Sequence, residues 1–469
     1  MKKSILFSSV LIIPIIISAL FLKADGPGAW TQDLNNAAIY NACIVIHPTN
    51  PLIMYAGSFT SGVYLSIDGG ITWIPSSSGL NSAVNSLAIS NSNPNVLWAG
   101  TTSAGVFKST DAGATWNAFN TGVTESAKNV QAIVIKPNDP NTVVICIFDG
   151  TNDGNPGVYK TTNGGTSWAG SVSGIGPMKN FLSMINNPTT PNTIYMGGSY
   201  STPQTLGTHL YKSYDFGSSW FTSDNGFDTA ATTGTDVIRC MSYSTLDTVT
   251  VLAGRFWNTT NGGPWLTTNA GASWVQRSNG FPIASAPGPL LRSIKIQPGS
   301  NSIFFAGGDP ANVQPGGVWR STDAGMNWSN FNSSPMDSTF AVRALNFVQT
   351  TGTLFAGVYS GNTGVYDYGF PIGIKNINGS VPKVFALHQN YPNPFNPTTT
   401  FTFDIPKSAL VTVNVYDVSG RLVSTLVNEQ IQPGSYKYSF DASRLSSGVY
   451  FYKITAGSFV DTKKMMLVK

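Results

Sequence analysis

The sequence predicts an all-β protein, in which a seven-bladed β-propeller is followed by a small immunoglobulin-like β-sandwich. An aromatic residue follows a turn in the same local phrase seven times. After six of these positions a short motif ends in tryptophan, and successive motif tryptophans lie 43, 52, 52, 54 and 54 residues apart. This period is typical of propeller blades and too long for most helical solenoids. The C-terminal segment instead alternates apolar and polar residues over six short stretches, as a small sandwich does.

Each repeat is predicted to contain four short strands. In the second repeat, Leu87 and Ile89 occupy alternating positions, and further apolar runs cover 96–100, 106–109 and 116–119. Several second strands are apolar without a clean polar face, as expected where both faces of a sheet pack on neighbouring blades. The recurring aromatic residues are Tyr64, Phe107, Tyr159, Tyr211, Trp265, Trp319 and Tyr366.

Six turns carry related sequences, of which Ser66-Ile-Asp68-Gly-Gly70-Ile-Thr72-Trp73 is the first. Asp or Asn accepts hydrogen bonds from nearby backbone amides, and glycine supplies the positive φ of a tight turn. A residue repeated in every blade lies around a circle, and Asn cannot be a carboxylate catalyst, so we expect structural rather than catalytic or ligand-binding roles. The residues concerned are Asp68, Asp111, Asn163, Asp215, Asn269 and Asp323. Across roughly residues 30–368 the motif resembles the Asp box of BNR and sortilin-like propellers, which implies a place between the third and fourth strands of a blade.

The last repeat has three strands and ends near Tyr368 without the motif or its tryptophan. The missing fourth strand is found at the other end of the chain, where Ala29-Trp30-Thr31-Gln32 resembles the post-turn segment Thr115-Trp116-Asn117-Ala118. We therefore predict that the N-terminal strand closes a ring of seven blades.

The chain is predicted to comprise a signal peptide over residues 1–24, the propeller over 25–370, a linker over 371–384 and the sandwich over 385–469. Lys2 and Lys3 precede an apolar run from Ile5 to Leu22, and Ala24 suits signal cleavage. No other stretch is long and apolar enough to span a bilayer. We expect an exported protein without a transmembrane span after signal removal.

Charge and cysteine usage exclude other classes of protein. Removal of the signal lowers the formal charge from +4 to +1, and no basic stripe is present, so we expect no nucleic-acid partner. Cys43, Cys146 and Cys240 fall in repeats that are not neighbours in the ring, which predicts three buried free thiols. With three histidines and no His-Glu-x-x-His, zinc chemistry is unsupported, and Asp149 to Asn155 is a weak calcium pattern. We expect no cofactor and no metal.

Several ordered motifs mark the C-terminal segment. They are Tyr391-Pro-Asn-Pro-Phe-Asn-Pro397, Val415-Tyr-Asp-Val-Ser-Gly-Arg421, Pro433-Gly-Ser-Tyr436, Ser447-Gly-Val-Tyr450 and Lys463-Lys-Met-Met-Leu-Val-Lys469. Together they resemble the type A sorting domain of the type IX secretion system of Bacteroidetes and related bacteria. The resemblance implies transport through the periplasm to the cell surface or medium, with the secretion machinery and its sortase as partners. The alternative is an ordinary adhesion or carbohydrate-binding sandwich, since a sandwich alone carries no function.

One column of the repeat alignment indicates a site. Two residues before the first apolar position of each innermost strand lie Ala42, Asn85, Gln131, Leu182, Arg239, Arg292 and Arg343. Three consecutive blades therefore carry arginine at equivalent places. We expect these side chains at the channel mouth, on the face with the longest loops. Arg255 and Trp257, in one of these loops, are further candidate ligand-binding residues. Clustered guanidinium groups suit a carboxylate, sulfate or phosphate, and in the free protein they should be hydrated, bridged by a carboxylate or occupied by a buffer anion.

Asp-box proteins use such arginines differently. Sialidases hold a substrate carboxylate with three arginines, but they have six blades and a Tyr and Glu pair, whereas Glu125 is the only Glu of this propeller. Seven-bladed photosystem assembly factors are similar and bind protein through an arginine patch. We expect a recognition protein for a glycan or protein ligand. The alternatives are a glycoside hydrolase, sialidase-like or xyloglucanase-like, and a purely structural rim in which each arginine pairs with a carboxylate such as Asp236.

Overall fold

The fold is described from a computed structural model of the chain. It describes residues 30–35, 39–60, 62–124, 128–148, 156–175, 180–187, 189–199, 208–227, 237–256, 262–281, 290–310, 315–349, 352–368, 375–378, 382–431, 433–442 and 445–468. The predicted signal peptide lies outside these ranges. Within them the chain forms strands, turns and loops, and no helix is long and apolar enough to cross a membrane.

Seven antiparallel sheets of four strands form the blades of the propeller. Blade 1 contains β2 (Ile39–Ile46), β3 (Met54–Ser58), β4 (Gly62–Ser66) and β5 (Ile74–Pro75). Blade 2 contains β6 (Val84–Ile89), β7 (Leu97–Thr101), β8 (Val106–Ser109) and β9 (Asn117–Ala118). Blade 3 contains β10 (Val130–Lys136), β11 (Asp139–Ile147), β12 (Val158–Thr161) and β13 (Ala169–Gly170). Blade 4 contains β14 (Asn180–Asn186), β15 (Ile194–Ser199), β16 (Thr208–Ser213) and β17 (Phe221–Thr222).

The remaining blades follow the same order. Blade 5 contains β18 (Val237–Tyr243), β19 (Val251–Phe256), β20 (Gly263–Thr267) and β21 (Val275–Gln276). Blade 6 contains β22 (Leu290–Ile296), β23 (Phe304–Asp309), β24 (Gly317–Ser321) and β25 (Ser329–Asn330). Blade 7 contains β26 (Ala341–Phe347), β27 (Leu354–Ser360), β28 (Gly364–Tyr368) and, from the N-terminal end, β1 (Trp30–Asn35). The predicted propeller of seven blades is therefore confirmed.

The N-terminal strand closes the ring, as the sequence predicts. β1 pairs antiparallel with β28, with Trp30 opposite Tyr368. The indole of Trp30 donates a hydrogen bond to the carbonyl of Phe331 in blade 6 at 3.2 Å. Five motif tryptophans make the same bond to the preceding blade, so Trp30 acts as the tryptophan of blade 7. They are Trp116, Trp168, Trp220, Trp274 and Trp328.

The six motif turns are held by their own side chains. In blade 2, the hydroxyl of Ser109 donates to Asp111 at 2.7 Å, and Asp111 accepts the backbone amide of Thr115 at 2.9 Å. Ala112 and Gly113 have positive φ, as the turn requires. In blade 3, Asn163 accepts the equivalent amide, that of Ser167, at 3.1 Å. Carboxylate and amide thus do the same work in this turn.

The motif carboxylates make the propeller sensitive to acid. Burial raises the pKa of Asp111, but hydrogen bonds from Thr115 and Ser109 outweigh that effect and lower it; the pKa values of Asp68, Asp215 and Asp323 are lowered in the same way. A lowered folded pKa stabilises the fold above the unfolded pKa, about 4, and that stability is lost as the pH falls below it. We expect the melting temperature to decline below about pH 4.

The Asn blades supply a matched pair of variants for this prediction. Replacement of the four motif carboxylates by Asn should leave the melting temperature at pH 7 nearly unchanged and make its decline in acid less steep. Asn163→Asp should make that decline steeper. Melting curves between pH 2.5 and 7, recorded by circular dichroism, measure both effects. Identical acid profiles for all three proteins would contradict this role of the carboxylates.

The three cysteines are free and buried, which confirms the prediction. They fill inter-blade positions where two small residues face each other across the first and second strands. Cys240 lies opposite Gly254, and in blade 3 the order is reversed, with Ala132 opposite Cys146. The equivalent pairs elsewhere are Ser86 and Gly100, Ser183 and Gly197, Ser293 and Gly307, and Ala344 and Gly357. A Cβ on Gly254 would collide with the Cys240 sulfur, so the small volume is required.

The C-terminal domain consists of two packed antiparallel sheets. One has the order β29-β34-β31-β30 and the other β33-β32-β35-β36. The strands are β29 (Lys375–Asn378), β30 (Ala386–Leu387), β31 (Thr398–Ile405), β32 (Ala409–Asp417), β33 (Leu422–Ile431), β34 (Gly434–Asp441), β35 (Gly448–Ala456) and β36 (Phe459–Leu467). Phe401 and Tyr452 stack between the sheets with ring centroids 4.7 Å apart. The segment 371–384, predicted as a linker, thus contributes β29 to the sandwich.

Candidate functional site

The predicted column of residues coincides with a β-bulge in the innermost strands. In blades 2 to 7 the pairing of the first and second strands shifts at this position, and in blade 1 it is irregular between Ile39 and Ile44. The residues at the shifts are Asn85, Gln131, Leu182, Arg239, Arg292 and Arg343. A bulge redirects a side chain out of the regular alternation of a strand. The fold therefore offers one redirected residue in each of blades 2 to 7, and blades 5 to 7 use arginine there.

Asp309, at the end of β23, joins two of the arginines. Its carboxylate accepts a hydrogen bond from Nε of Arg292 at 2.7 Å. It also accepts two from Arg343, from Nε at 2.9 Å and from Nη2 at 2.8 Å. The Arg343 contact is a fork that suits a planar carboxylate. Both guanidinium side chains retain about a tenth of their exposure, so the ion pairs are shielded from bulk water.

Aromatic rings fix the arginines from the side. The guanidinium of Arg239 lies 5.0 Å and that of Arg292 4.5 Å from the ring centroid of Phe256. The guanidinium of Arg343 lies 3.5 Å from the ring centroid of Tyr359. Cations over aromatic faces are attracted by the ring quadrupole. These contacts connect all three arginines into one group, which we call the arginine arc: Arg239, Arg292, Arg343, Asp309, Phe256 and Tyr359.

The bulge residues of blades 2 to 4 carry no charge. Asn85 and Gln131 both donate to the side-chain oxygen of Asn129, at 2.9 and 2.7 Å. Leu182 packs with Val237 and Phe256 in a small apolar cluster. Among the described bulge residues, positive charge is therefore confined to blades 5 to 7. The three guanidinium groups and one carboxylate of the arginine arc sum to a formal charge of +2.

Sequence reasoning placed the arginines but missed their partners. Asp309, Phe256 and Tyr359 lie at the ends of second strands, where the sequence shows no repeated polar pattern. Arg255 is buried, and because it precedes Phe256 on β19 its side chain leaves the opposite face of that strand. It is not part of the arginine arc. Trp257, Glu125, Asp149, Asp153 and Asp236 lie outside the described residues.

Metal chemistry has no support from the described side chains. No group of three or more His, Cys, Asp or Glu residues in the described ranges is arranged to hold a metal ion. The motif carboxylates are instead engaged in their turns, as in the bonds from Ser66 and Thr72 to Asp68.

The sandwich motifs hold the C-terminal strand in place. The backbone amide of Phe395 donates to Met466, and that of Val468 donates to Phe395, both at 2.9 Å. The side chain of Asn393 accepts the amide of Met466 at 2.9 Å. At the other end of the sheet, Arg421 pairs with Asp417 at 3.0 Å within the turn between β32 and β33. The motifs are therefore structural elements of the domain, and its last strand is held by backbone hydrogen bonds to the segment around Phe395.

Comparisons of the sequence with known families identify both domains. A family described as "Secretion system C-terminal sorting domain" matches residues 389–469. A family described as "Sortilin, neurotensin receptor 3," matches residues 61–176 of the propeller. No curated protein matches the sequence.

Solved structures agree on the fold. The chain resembles the GH74 xyloglucanase from Xanthomonas campestris (TM-score 0.54, 14% identity, covering 81% of this chain and 60% of the enzyme). It also resembles PorZ, a surface component of the type IX secretion system of Porphyromonas gingivalis (TM-score 0.52, 14% identity, covering 89% of this chain and 58% of PorZ). A third similar structure is that of YCF48 from Cyanidioschyzon merolae (TM-score 0.50, 14% identity, covering 72% of this chain and 98% of YCF48). The chain spans less than two thirds of the first two proteins, and at this identity the likeness concerns the fold alone.

The sorting domain directs the chain through the periplasm to the outer surface or the medium. The Asp-box turns, the seven sheets of four strands and the sortilin family match all indicate that the part before the sorting domain is a propeller. This chain is a seven-bladed β-propeller with Asp-box turns that matches the sortilin family over residues 61–176, followed by a C-terminal domain that matches the secretion sorting family over residues 389–469.

Proposed function

We propose that the propeller is an extracellular recognition module, and that the arginine arc binds a carboxylate or similar anionic group of a glycan or protein ligand. The observation that carries the proposal is that Arg239, Arg292 and Arg343 form one connected group at the channel mouth. Arg292 and Arg343 share the carboxylate of Asp309, and Arg239 and Arg292 share the ring of Phe256. Guanidinium forks recognise carboxylates and phosphates in this way. The aromatic contacts restrict the arginines in advance, which reduces the entropy cost of binding.

Asp309 favours binding over glycoside hydrolysis. Glycosidases place two carboxyl groups about 5 to 10 Å apart, one of them able to donate a proton. Asp309 is the carboxylate of the arginine arc, and its two oxygens accept bonds from two arginines. Such a carboxylate is suited to holding cations in place rather than to attacking a sugar. Asp149, Asp153 and Asp236 lie outside the described residues, so a hydrolysis screen accompanies the binding test.

Replacement of an arc arginine should weaken binding without unfolding the propeller. Arg239→Ala, Arg292→Ala and Arg343→Ala should each cost about 1.5 to 3 kcal/mol of binding free energy, the scale of a charged hydrogen bond. A glycan array and a panel of acidic peptides would identify a ligand, and isothermal titration calorimetry would measure each variant. Arg320→Ala is the matched control, because Arg320 also lies over aromatic rings, Phe305 and Phe331, but belongs to the third strand of blade 6.

A structural rim makes the opposite prediction. In that case the same variants lower the melting temperature and leave ligand affinity unchanged. Asp309→Asn separates the two roles further, because it releases Arg292 and Arg343 from their carboxylate. A binding site should then gain affinity for the anionic ligand, whereas a rim that only stabilises the fold should lose stability with no gain. Release of sugars from the same polysaccharides would instead support the hydrolase.

A further inference from the structure

The channel contains a cavity of about 150 Å³ between the innermost strands of blades 2 to 6. Two residues of the arginine arc, Arg239 and Arg292, line it together with Lys295. The remaining described lining residues are apolar, small or amide side chains, and none of those described is Asp or Glu. The cavity therefore combines three basic groups with no acidic one among its described walls.

Lys295 interrupts an otherwise uncharged ring of positions. It lies three residues after the bulge of β22, and the equivalent residues on the other described innermost strands carry no charge. They are Val45, Ala88, Val134, Ile185, Ser242 and Asn346. The ion pairs of the described residues do not include Lys295. Nothing in the repeat requires a lysine at this position, so its role is expected to concern the cavity that it faces.

The positive charges of Arg239, Arg292 and Lys295 all influence the thiol of Cys240, which also lines the cavity. Burial raises the pKa of the Cys240 thiol to about 12, and the charges of Arg239, Lys295 and Arg292 each oppose that rise. All three therefore lie within electrostatic range of one sulfur atom. Lys295 keeps some accessible surface because it faces the cavity, yet protein surrounds it, and desolvation lowers the pKa of its ammonium group.

Like charges in a confined, poorly hydrated space repel more strongly than in water. An anion placed among them removes this repulsion and takes the hydrogen bonds that the donors offer. We propose that the cavity binds a small oxyanion, a carboxylate, phosphate or sulfate, with Lys295 as its third basic ligand beside Arg239 and Arg292. The inference rests on the proposed function and deepens it: the anionic group of the ligand enters the channel rather than resting on its rim.

Small anions test this site directly. Inorganic phosphate, sulfate and acetate would be titrated into the purified full-length protein at constant ionic strength by calorimetry, with chloride as the reference. We expect saturable binding of at least one of them, and Lys295→Met should weaken it roughly tenfold or more. The three probes distinguish the oxyanion classes. Lys160→Met is the control, since Lys160 bonds Ser218 between blades 3 and 4, away from the channel. Absence of saturable binding, or equal binding by Lys295→Met, would overturn the proposal.

A measurement on the unaltered protein guards against a folding defect in the variant. An amine-acylating reagent should modify Lys295 more slowly when the bound anion is present, whereas the exposed Lys407 of the sandwich should react equally. Peptide mass spectrometry quantifies both. Equal modification of Lys295 with and without the anion would refute its contact with the ligand.

The two proposals fail in different ways. If an extracellular ligand depends on Arg343 but not on Lys295, the mouth binds and the cavity does not. If phosphate or acetate binds through Lys295 while no glycan or peptide ligand requires the arginines, the cavity inference holds and the recognition function fails.

Discussion

Removal of the N-terminal strand should open the propeller and lower its melting temperature by many degrees. β1 supplies the fourth strand of blade 7, and its loss would expose the whole edge of β28 between Gly364 and Tyr368. Unpaired edges of this kind also promote aggregation. Deletion of residues 25–35 from a protein expressed from residue 25 onward, followed by calorimetry and size-exclusion chromatography, measures both consequences.

Trp30 provides the corresponding point variant. Its side chain is buried and packs edge-on against Phe331 and Tyr368, with ring centroids 6.2 and 5.3 Å away. Trp30→Ala should therefore cost about 3 to 5 kcal/mol of unfolding free energy, the usual range for a buried Trp. Gly364→Ala tests the same junction from the other side, because a Cβ there would collide with the carbonyl oxygen of Leu34.

Deletion of residues 25–29 alone is the matched control, since it leaves β1 intact. That protein should melt like the parent. If the longer deletion also melts like the parent and keeps the parent's elution volume, the ring does not depend on its N-terminal strand.

The closure could be predicted from sequence because local and global signals agree. Turn residues and the motif tryptophan identify each blade. The last repeat lacks a fourth strand and the N-terminal end has one extra strand, which assigns Trp30 to blade 7. The bulge column was visible for a similar reason, since a redirected residue interrupts the alternation of apolar positions in the same place each time. Leu182 also belongs to this column, because the pairing of β14 shifts between Phe181 and Ser183.

The partners of the arginines could not be predicted in this way. Asp309 contacts Arg343 across 34 positions of sequence, and its role depends on how two neighbouring blades are placed. In the sequence, Lys295 is an ordinary polar residue of an alternating strand. Its position beside the cavity depends on how the blades are arranged around the channel. β29 was missed because Lys375-Asn-Ile-Asn378 is a short polar segment without a strand pattern, yet it pairs with β34 in the sandwich.

Removal of the sorting domain should abolish arrival of the protein outside the cell. The secretion machinery of a type IX host must recognise the folded domain, and the propeller alone carries no second copy of its motifs. Because β29 belongs to the sandwich, the deletion should cover residues 371–469 rather than begin at 385. We expect the propeller to accumulate in the periplasm with essentially none in the medium or on the surface. Cell fractionation with immunoblotting provides the measurement.

A smaller change and a transfer experiment make the test specific to the domain. Deletion of residues 459–469 removes β36, including the buried Met465 and Leu467, and with it the backbone pairing to Phe395. This variant should be retained in the periplasm like the full deletion, although most of the domain is still present. Conversely, residues 371–469 fused to a periplasmic reporter should carry the reporter outside. Normal export of the propeller without the domain, or retention of the reporter fusion, would show that the export signal lies elsewhere in the chain.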